Sequence, residues 1–307
     1  MDWLMIVAGL VLLVLAGDAL VKGAVNLALR LGIPALIVSL TIVGFGTSAP
    51  EMLVSVQSVL GGLPEIALGN VVGSNIANVL LILGIPAMIS VIHSSQADTR
   101  ASYVQMLAVT AIFVALCFTG PLTKLHGVFL LVLLGGMLWH TIRAARQGRA
   151  DAEVEGADPS MTKGKITLFL LAGLIGLPLG ATLLIDGATS IARTYGVSEA
   201  IIGLTLVAVG TSLPELATTV MAAVRKQADV ALGNVIGSNL FNLLSIMGIT
   251  ALIGDVPIAD QFLKVDLWVM LASALALVPF VFFRRDIGKL AGAVLTGLYL
   301  IYLVTLL

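Results

Sequence analysis

The sequence predicts an all-α integral membrane protein of about ten transmembrane helices, arranged as two inverted-topology repeats of five. Three observations lead there. Of the 307 residues 59% are hydrophobic and only 11% charged, with a mean hydropathy of +1.11, whereas soluble domains carry about 25% charged residues. The apolar runs reach the roughly 20 residues that a helix needs to cross a bilayer, without the strict alternation of a membrane barrel. Finally, the chain resembles itself after a shift of 164 residues, and a repeat of that kind constrains every later assignment.

Breaks in the apolar runs place spans at roughly 3–29, 35–60, 65–92, 101–119, 124–146, 165–193, 198–224, 229–253, 263–283 and 288–306. The first run carries Asp2 and lacks a basic leader, so it reads as a span and not a signal peptide. The polar stretch "QGRADAEVEGADPSMTKG" (147–164) is rich in charge and helix breakers and reads as a linker. It divides a first repeat, 1–146, from a second, 165–307. With the N-terminus outside, all of the 16 basic residues except Lys124, Arg193 and Lys264 fall on the inner side. The positive-inside rule then puts both termini outside and the linker in the cytoplasm of a cell whose inner membrane holds the protein.

The repeat is specific. The shift lays "GTSAPEM" (46–52) on "GTSLPEL" (210–216), and "IALGNVVGSNIANVLLILGI" (66–85) on "VALGNVIGSNLFNLLSIMGI" (230–249), where 13 of 20 positions are identical. The shift covers five spans, an odd number, so the second copy enters the membrane from the opposite side. Inverted repeats of this kind mark many secondary transporters.

The paired motifs concentrate oxygen. Thr47 and Ser48 precede Glu51 by four and three residues, as Thr211 and Ser212 precede Glu215, so each set shares a face if the backbone stays nearly helical. Pro50 and Pro214 are expected to free main-chain carbonyls near Gly46 and Gly210, because proline lacks an N–H and clashes with the carbonyl four residues back. Asn70, Ser74 and Asn78 form a polar stripe at four-residue spacing, repeated as Asn234, Ser238 and Asn242. Gly69 and Gly73, with Gly233 and Gly237, have the spacing that lets a second backbone approach. Hydroxyls, carboxylates and carbonyls suit hard cations such as Ca2+, which takes 6–8 oxygen ligands, and Na+. An ionised carboxylate at a span centre costs about 2.5–3.5 kcal/mol. No Lys or Arg lies within either motif pair, so a mobile cation has to neutralise Glu51 and Glu215.

Other residues read more plainly. Ser74, Ser238, Asn78 and Asn242 could coordinate an ion or only bond across helices, and Asn70, Asn75, Asn234 and Asn239 read first as structural hydrogen-bonding groups. Asp18 and Lys22 have the spacing of a local ion pair; a gating role for them and for Asp186 is the sharper alternative. His93, His126 and His140 fall near span ends, Trp3, Trp139 and Trp268 read as interfacial or lipid-facing, and Cys117, the single cysteine, as a small apolar helix residue. A net charge of −1 gives no hint of nucleic acid.

At the quoted motifs the sequence resembles the sodium/calcium exchangers of the cation/calcium antiporter superfamily, whose alpha-1 and alpha-2 repeats they match. The resemblance implies alternating access around spans 2, 3, 7 and 8, with spans 1 and 6 sliding across them. It implies ion ligands at Thr47, Ser48, Glu51, Ser74 and Asn78 in one half, and at Thr211, Ser212, Glu215, Ser238 and Asn242 in the other. Main-chain oxygens of Gly44 and Ala208 join them. Asn242 stands where some relatives, including potassium-dependent exchangers, carry Asp, and the large cytosolic calcium-sensing domains of the family are absent.

The expected function is therefore exchange of Ca2+ for Na+, with inorganic cations as substrates, the bilayer as surroundings, and no catalytic residue, cofactor or obligate protein partner. A Ca2+/H+ antiporter is the nearest rival. A passive cation channel would also tolerate such oxygens. An intramembrane hydrolase using Ser48 or Ser212 lacks a histidine within either motif to activate the serine.

Overall fold

A computed structural model describes residues 2–95, 97–147, 158–195 and 210–306. The described helices follow the expected order. They are α1 (Asp2–Leu31), the bent pair α2a and α2b (Ala35–Thr47 and Ala49–Leu60), α3 (Pro64–Ile89), α4 (Arg100–Cys117) and α5 (Lys124–Gln147). The second half supplies α6 (Lys163–Thr194), α7 (Leu213–Val224), α8 (Ala228–Ile253), α9 (Phe262–Phe282) and α10 (Lys289–Leu306). Seven are long and apolar enough to cross a membrane, α2a and α2b make one crossing bent by 43°, and α7 and α10 are shorter apolar helices. The start of the span expected at 198–224 and most of the linker expected at 147–164 lie outside the described residues.

Burial separates the helices into two groups. Along α3 and α8 most residues are enclosed by protein, whereas α1, α5 and α6 turn most of theirs outward. Leu4, Val11 and Leu15 of α1 and Leu168, Leu171 and Ile175 of α6 are exposed, as lipid-facing helices require. Trp3, Trp139 and Trp268 are exposed too, and Cys117 is buried.

α1 and α6 form an antiparallel pair whose backbones meet at small residues: a Cβ on Gly9 would lie 2.7 Å from the Gly180 carbonyl oxygen. The pair is laced at both ends. Ser190 Oγ donates to Asp2 Oδ2 at 2.7 Å at one end, and Arg30 donates to the Met161 carbonyl at 2.8 Å at the other. The Asp158 amide donates to Asn26 Oδ1 at 2.8 Å beside it. Thr162 then caps α6 by accepting from the Lys165 amide.

The enclosed helices are joined by a short backbone bridge at each of their two ends. Ile92 and Ile287 exchange both backbone hydrogen bonds, as do Leu122 and Val256. Ile92 falls on Val256 under the 164-residue shift, so one short bridge closes each end of the bundle in the same way. The Ile92 end carries an addition: His93 Nδ1 lies 2.8 Å from Asp286 Oδ2. Burial raises the Asp286 carboxyl pKa, but hydrogen bonds from Ser95 and His93 outweigh it and hold the group below the usual carboxylate range.

Candidate functional site

The two motifs meet where α2 and the α7 region turn. The backbone breaks at Ser48 (φ −80°, ψ 8°) and at Ser212 (φ −90°, ψ 6°), and a new helix starts after each. Pro50 and Pro214 sit in the first turn of those new helices, where a missing N–H costs nothing. The prolines therefore do not kink continuous helices, as their spacing suggested; they begin α2b and α7. Glu51 and Glu215 fall in the same first turns, where the helix dipole favours negative charge.

The hydroxyls and carboxylates are paired across the repeats. Ser48 Oγ donates to Glu215 Oε1 at 3.1 Å, and Ser212 Oγ donates to Glu51 Oε1 at 3.2 Å. Thr211 stands beside Glu51, and Thr47 and Ser238 beside Glu215. Thr47 Oγ1 lies 3.4 Å from Ser238 Oγ and donates to Asn234 Oδ1 at 3.2 Å. Both glutamates are 1% exposed, close enough to repel one another electrostatically, and Ser74, Asn78 and Asn242 are buried as well.

Four buried oxygens of this group have no hydrogen-bond partner: Glu51 Oε2, Glu215 Oε2, Asn78 Oδ1 and Asn242 Oδ1. Buried polar atoms are nearly always satisfied, and these four orphans come from matching positions of the two repeats. The Gly44 carbonyl, which the resemblance implies as a main-chain ligand, accepts from the Ser48 amide at 3.2 Å and from Thr47 Oγ1 at 3.4 Å. Ala208 lies outside the described residues.

Sequence spacing did not show how the glutamates are held. Asn70 Nδ2 donates to the Glu51 carbonyl at 3.1 Å and to Ser55 Oγ at 2.9 Å. Its counterpart Asn234 donates to the Glu215 carbonyl at 3.2 Å and to Thr219 Oγ1 at 3.0 Å. Each clamp ties α3 or α8 to the helix that carries the glutamate. The hydroxyls at 55 and 219 match under the 164-residue shift, a signal visible in the sequence once the carbonyl partner is known.

The glycine spacing works where both sides are described. A Cβ on Gly237 would lie 2.4 Å from the Leu40 carbonyl oxygen, and one on Gly233 2.9 Å from that of Leu36. The positions opposite Gly69 and Gly73 by symmetry, 200 and 204, lie outside the described residues. Beyond Asn78 the helix widens irregularly, with the Ala77 carbonyl accepting from both Leu81 and Ile82. Asn242 opens a wide π-type turn, Asn242–Ile246, a distortion that recurs at functional sites. Asp18 pairs with Lys22 as expected and also with Arg225, which links α1 to the end of α7.

Comparison with known proteins agrees with this architecture. The chain is 34% identical to the inner membrane protein YrbG of Escherichia coli K12, covering 98% of this chain and 95% of that protein. It is 32% identical to the sodium/calcium exchanger MaX1 of Methanosarcina acetivorans, over 99% of this chain and 98% of the relative. A solved structure of the sodium-calcium exchanger NCX_Mj superposes with a TM-score of 0.87 at 31% identity, covering 100% of this chain and 99% of that one. The model of the sodium/calcium exchanger protein family matches residues 1–143 and 165–307, and the chain belongs to that family.

Proposed function

We propose that this protein is a secondary active antiporter that exchanges Ca2+ for Na+ across the cytoplasmic membrane by alternating access. The observation that carries the reading is the crossed pairing of serines and glutamates beside one buried, unpartnered oxygen on each of Glu51, Glu215, Asn78 and Asn242. Oxygens of Thr47, Ser48, Ser74, Thr211, Ser212 and Ser238, with the carbonyls of Gly44 and Ala208, complete the ligand set. Such a set suits a hard cation of high coordination number. The bonded Oε1 atoms orient the carboxylates, and the free Oε2 atoms meet the ion.

Charge makes the two glutamates act together. Each buried carboxylate is expensive alone, and two that face each other repel. One divalent or two monovalent cations balance them, so release of one ion type favours capture of the other. That competition is exchange at a shared site. In this reading α1 and α6 slide as one laced unit over the enclosed helices and expose the site to either side. The repeats 1–146 and 165–307 are joined by a cytoplasmic linker, 147–164, with both termini outside. Each net charge moved across 100 mV is worth about 2.3 kcal/mol, so an electrogenic cycle draws on voltage as well as on the sodium gradient. The names of MaX1 and NCX_Mj favour sodium as the counter-ion, and that of YrbG favours the inner membrane.

The test is Ca2+ uptake by proteoliposomes loaded with Na+, for wild type beside Glu51→Gln and Glu215→Gln. Sodium-driven uptake lost in both variants is expected. Uptake driven by a proton gradient but not by sodium would make the protein a Ca2+/H+ antiporter. Flux indifferent to any counter-ion would make it a channel, and unchanged transport in both variants would sink the site.

A further inference from the structure

A carboxamide serves a cation only through its oxygen, and a flip of the amide would present the NH2 group instead. Asn78 is held against that flip. Its Nδ2 donates to Asn239 Oδ1 at 2.9 Å, while its Oδ1 is buried with no partner. Turning the amide over would set oxygen against oxygen at Asn239 and an N–H at the site. Asn239 is itself fixed by its other end: its Nδ2 faces the Asn75 carbonyl at 3.5 Å and Met106 Sδ at 3.6 Å. Asn78, Asn239 and Met106 are all at most 3% exposed, so water does not compete for these bonds.

The other half of the site is built differently. Under the 164-residue shift Asn75 corresponds to Asn239, and Asn242 to Asn78, so symmetry calls for a bond from Asn242 to Asn75. Instead Asn75 Nδ2 turns back to the Val71 carbonyl of its own helix at 2.7 Å. The Oδ1 atoms of Asn75 and Asn242 are both unpartnered. One amide of the pair is locked and its counterpart is not.

We propose that Asn239 is a positioning residue that fixes the carboxamide of Asn78 with its oxygen towards the transported cation, so that the two repeats contribute unequally to Ca2+ binding. The proposal rests on the reading of Asn78 as an ion ligand. Loss of a group that orients a metal ligand typically weakens binding 10–100-fold, and a positioning role acts on affinity more than on turnover.

The experiment is Ca2+ uptake by full-length protein in sodium-loaded proteoliposomes, with apparent KM and maximal rate measured separately. Asn239→Ala is expected to raise the KM for Ca2+ by about tenfold or more, with the maximal rate within about threefold of wild type. The double variant Asn78→Ala/Asn239→Ala should match Asn78→Ala alone, because a group that acts only through Asn78 has nothing left to orient. Asn239→Asp, which retains volume and an acceptor oxygen, should bring the KM back towards wild type, and Asn75→Ala should leave it within about twofold. If Asn239→Ala does not fold, the similarly sized Asn239→Leu carries the same comparison. A wild-type KM in Asn239→Ala or Asn239→Leu, beside a raised KM in Asn78→Ala, would overturn the proposal and leave the ligand reading standing. Effects that multiply in the double variant would overturn it too. An unchanged KM in Asn78→Ala would overturn both.

Discussion

Ser212 Oγ donates a hydrogen bond to Oε1 of Glu51 at 3.2 Å, so a hydroxyl from the second repeat orients the carboxylate of the first. Ser48 does the same for Glu215 at 3.1 Å. Neither motif is complete within its own repeat: each supplies the serine that the other's glutamate needs. Hydrogen bonds to charged groups contribute about 1.5–3 kcal/mol. On the proposed reading, Ser48→Ala and Ser212→Ala each raise the apparent KM for Ca2+ by roughly ten- to a hundredfold. Uptake assays in proteoliposomes read this directly, and wild-type affinity in both variants would show that the crossed bonds do not orient the ligands.

The clamps at Asn70 and Asn234 make a prediction about stability. Each amide holds a glutamate carbonyl and a buried hydroxyl at once, and Ser55 and Thr219 are fully enclosed. Removing one partner of a buried bond costs about 1–3 kcal/mol. Asn70→Ala and Asn234→Ala should therefore lower the melting temperature in detergent by several degrees. Asn234→Ala should cost more, because Thr47 also donates to Asn234. Equal losses in the two variants would count against that extra bond.

Much of this architecture was legible in the sequence. The spans at 65–92, 229–253 and 263–283 differ from the observed helices by a few residues, because length and hydropathy alone decide where a helix can cross. The doubled motif marked Glu51 and Glu215, since carboxylates repeated in apolar surroundings need a shared reason. The roles of the prolines were not legible: Pro50 and Pro214 look like kinks by spacing, and only the break at Ser48 and Ser212 shows that they start new helices. Asn239 read as a structural group because its partner, Asn78, is 161 residues away, beyond any helical period. The same holds for Arg225, which reaches Asp18 across 207 residues.

That ion pair joins the laced α1–α6 unit to the enclosed helices through Asp18 and Arg225. Asp18 is 22% and Arg225 36% exposed, and pairs of this kind contribute about 0–1 kcal/mol. Arg225→Ala should therefore leave the melting temperature almost unchanged. If α1 and α6 slide in transport, the pair holds in only one of the two positions. Its loss should then change the ratio of Ca2+ affinities measured from the two sides of the membrane by up to about fivefold, the factor that roughly 1 kcal/mol represents. An unchanged ratio would mean that the pair rides with the moving unit.

The bridge at Ile92 and Ile287 carries a pH dependence. The Asp286 carboxyl is held below its ordinary pKa, burial notwithstanding, by Ser95 and His93. A carboxylate lowered on folding stabilises the protein above its unfolded pKa of about 3.9, and that contribution disappears as pH falls through the lower folded value. The two side chains are about a third exposed, which solvent screening discounts to well under about 1 kcal/mol. Asp286→Asn should thus lower thermal stability slightly at neutral pH, and the difference from wild type should shrink as the pH falls below about 3.9. A difference that grows on acidification would contradict the sign.

Leu174 of α6 lies over Gly46, where a Cβ would meet Leu174 Cδ2 at 2.1 Å. The contact joins the first residue of the "GTSAPE" motif to the helix pair that is proposed to move. Leu174 meets Gly46 with the end of a flexible side chain, so Gly46→Ala forces a rotamer change instead of a backbone shift, and overpacking of this size costs about 1–3 kcal/mol. Gly46→Ala should slow Ca2+ exchange with folding intact, since the displaced leucine must find room between α6 and α2a. Leu174→Ala creates that room, so Gly46→Ala/Leu174→Ala should exchange faster than Gly46→Ala alone, a coupling that independent sites do not show. If the second substitution only adds to the loss, the contact at Gly46 is incidental packing and the glycine serves the backbone break at Ser48 instead.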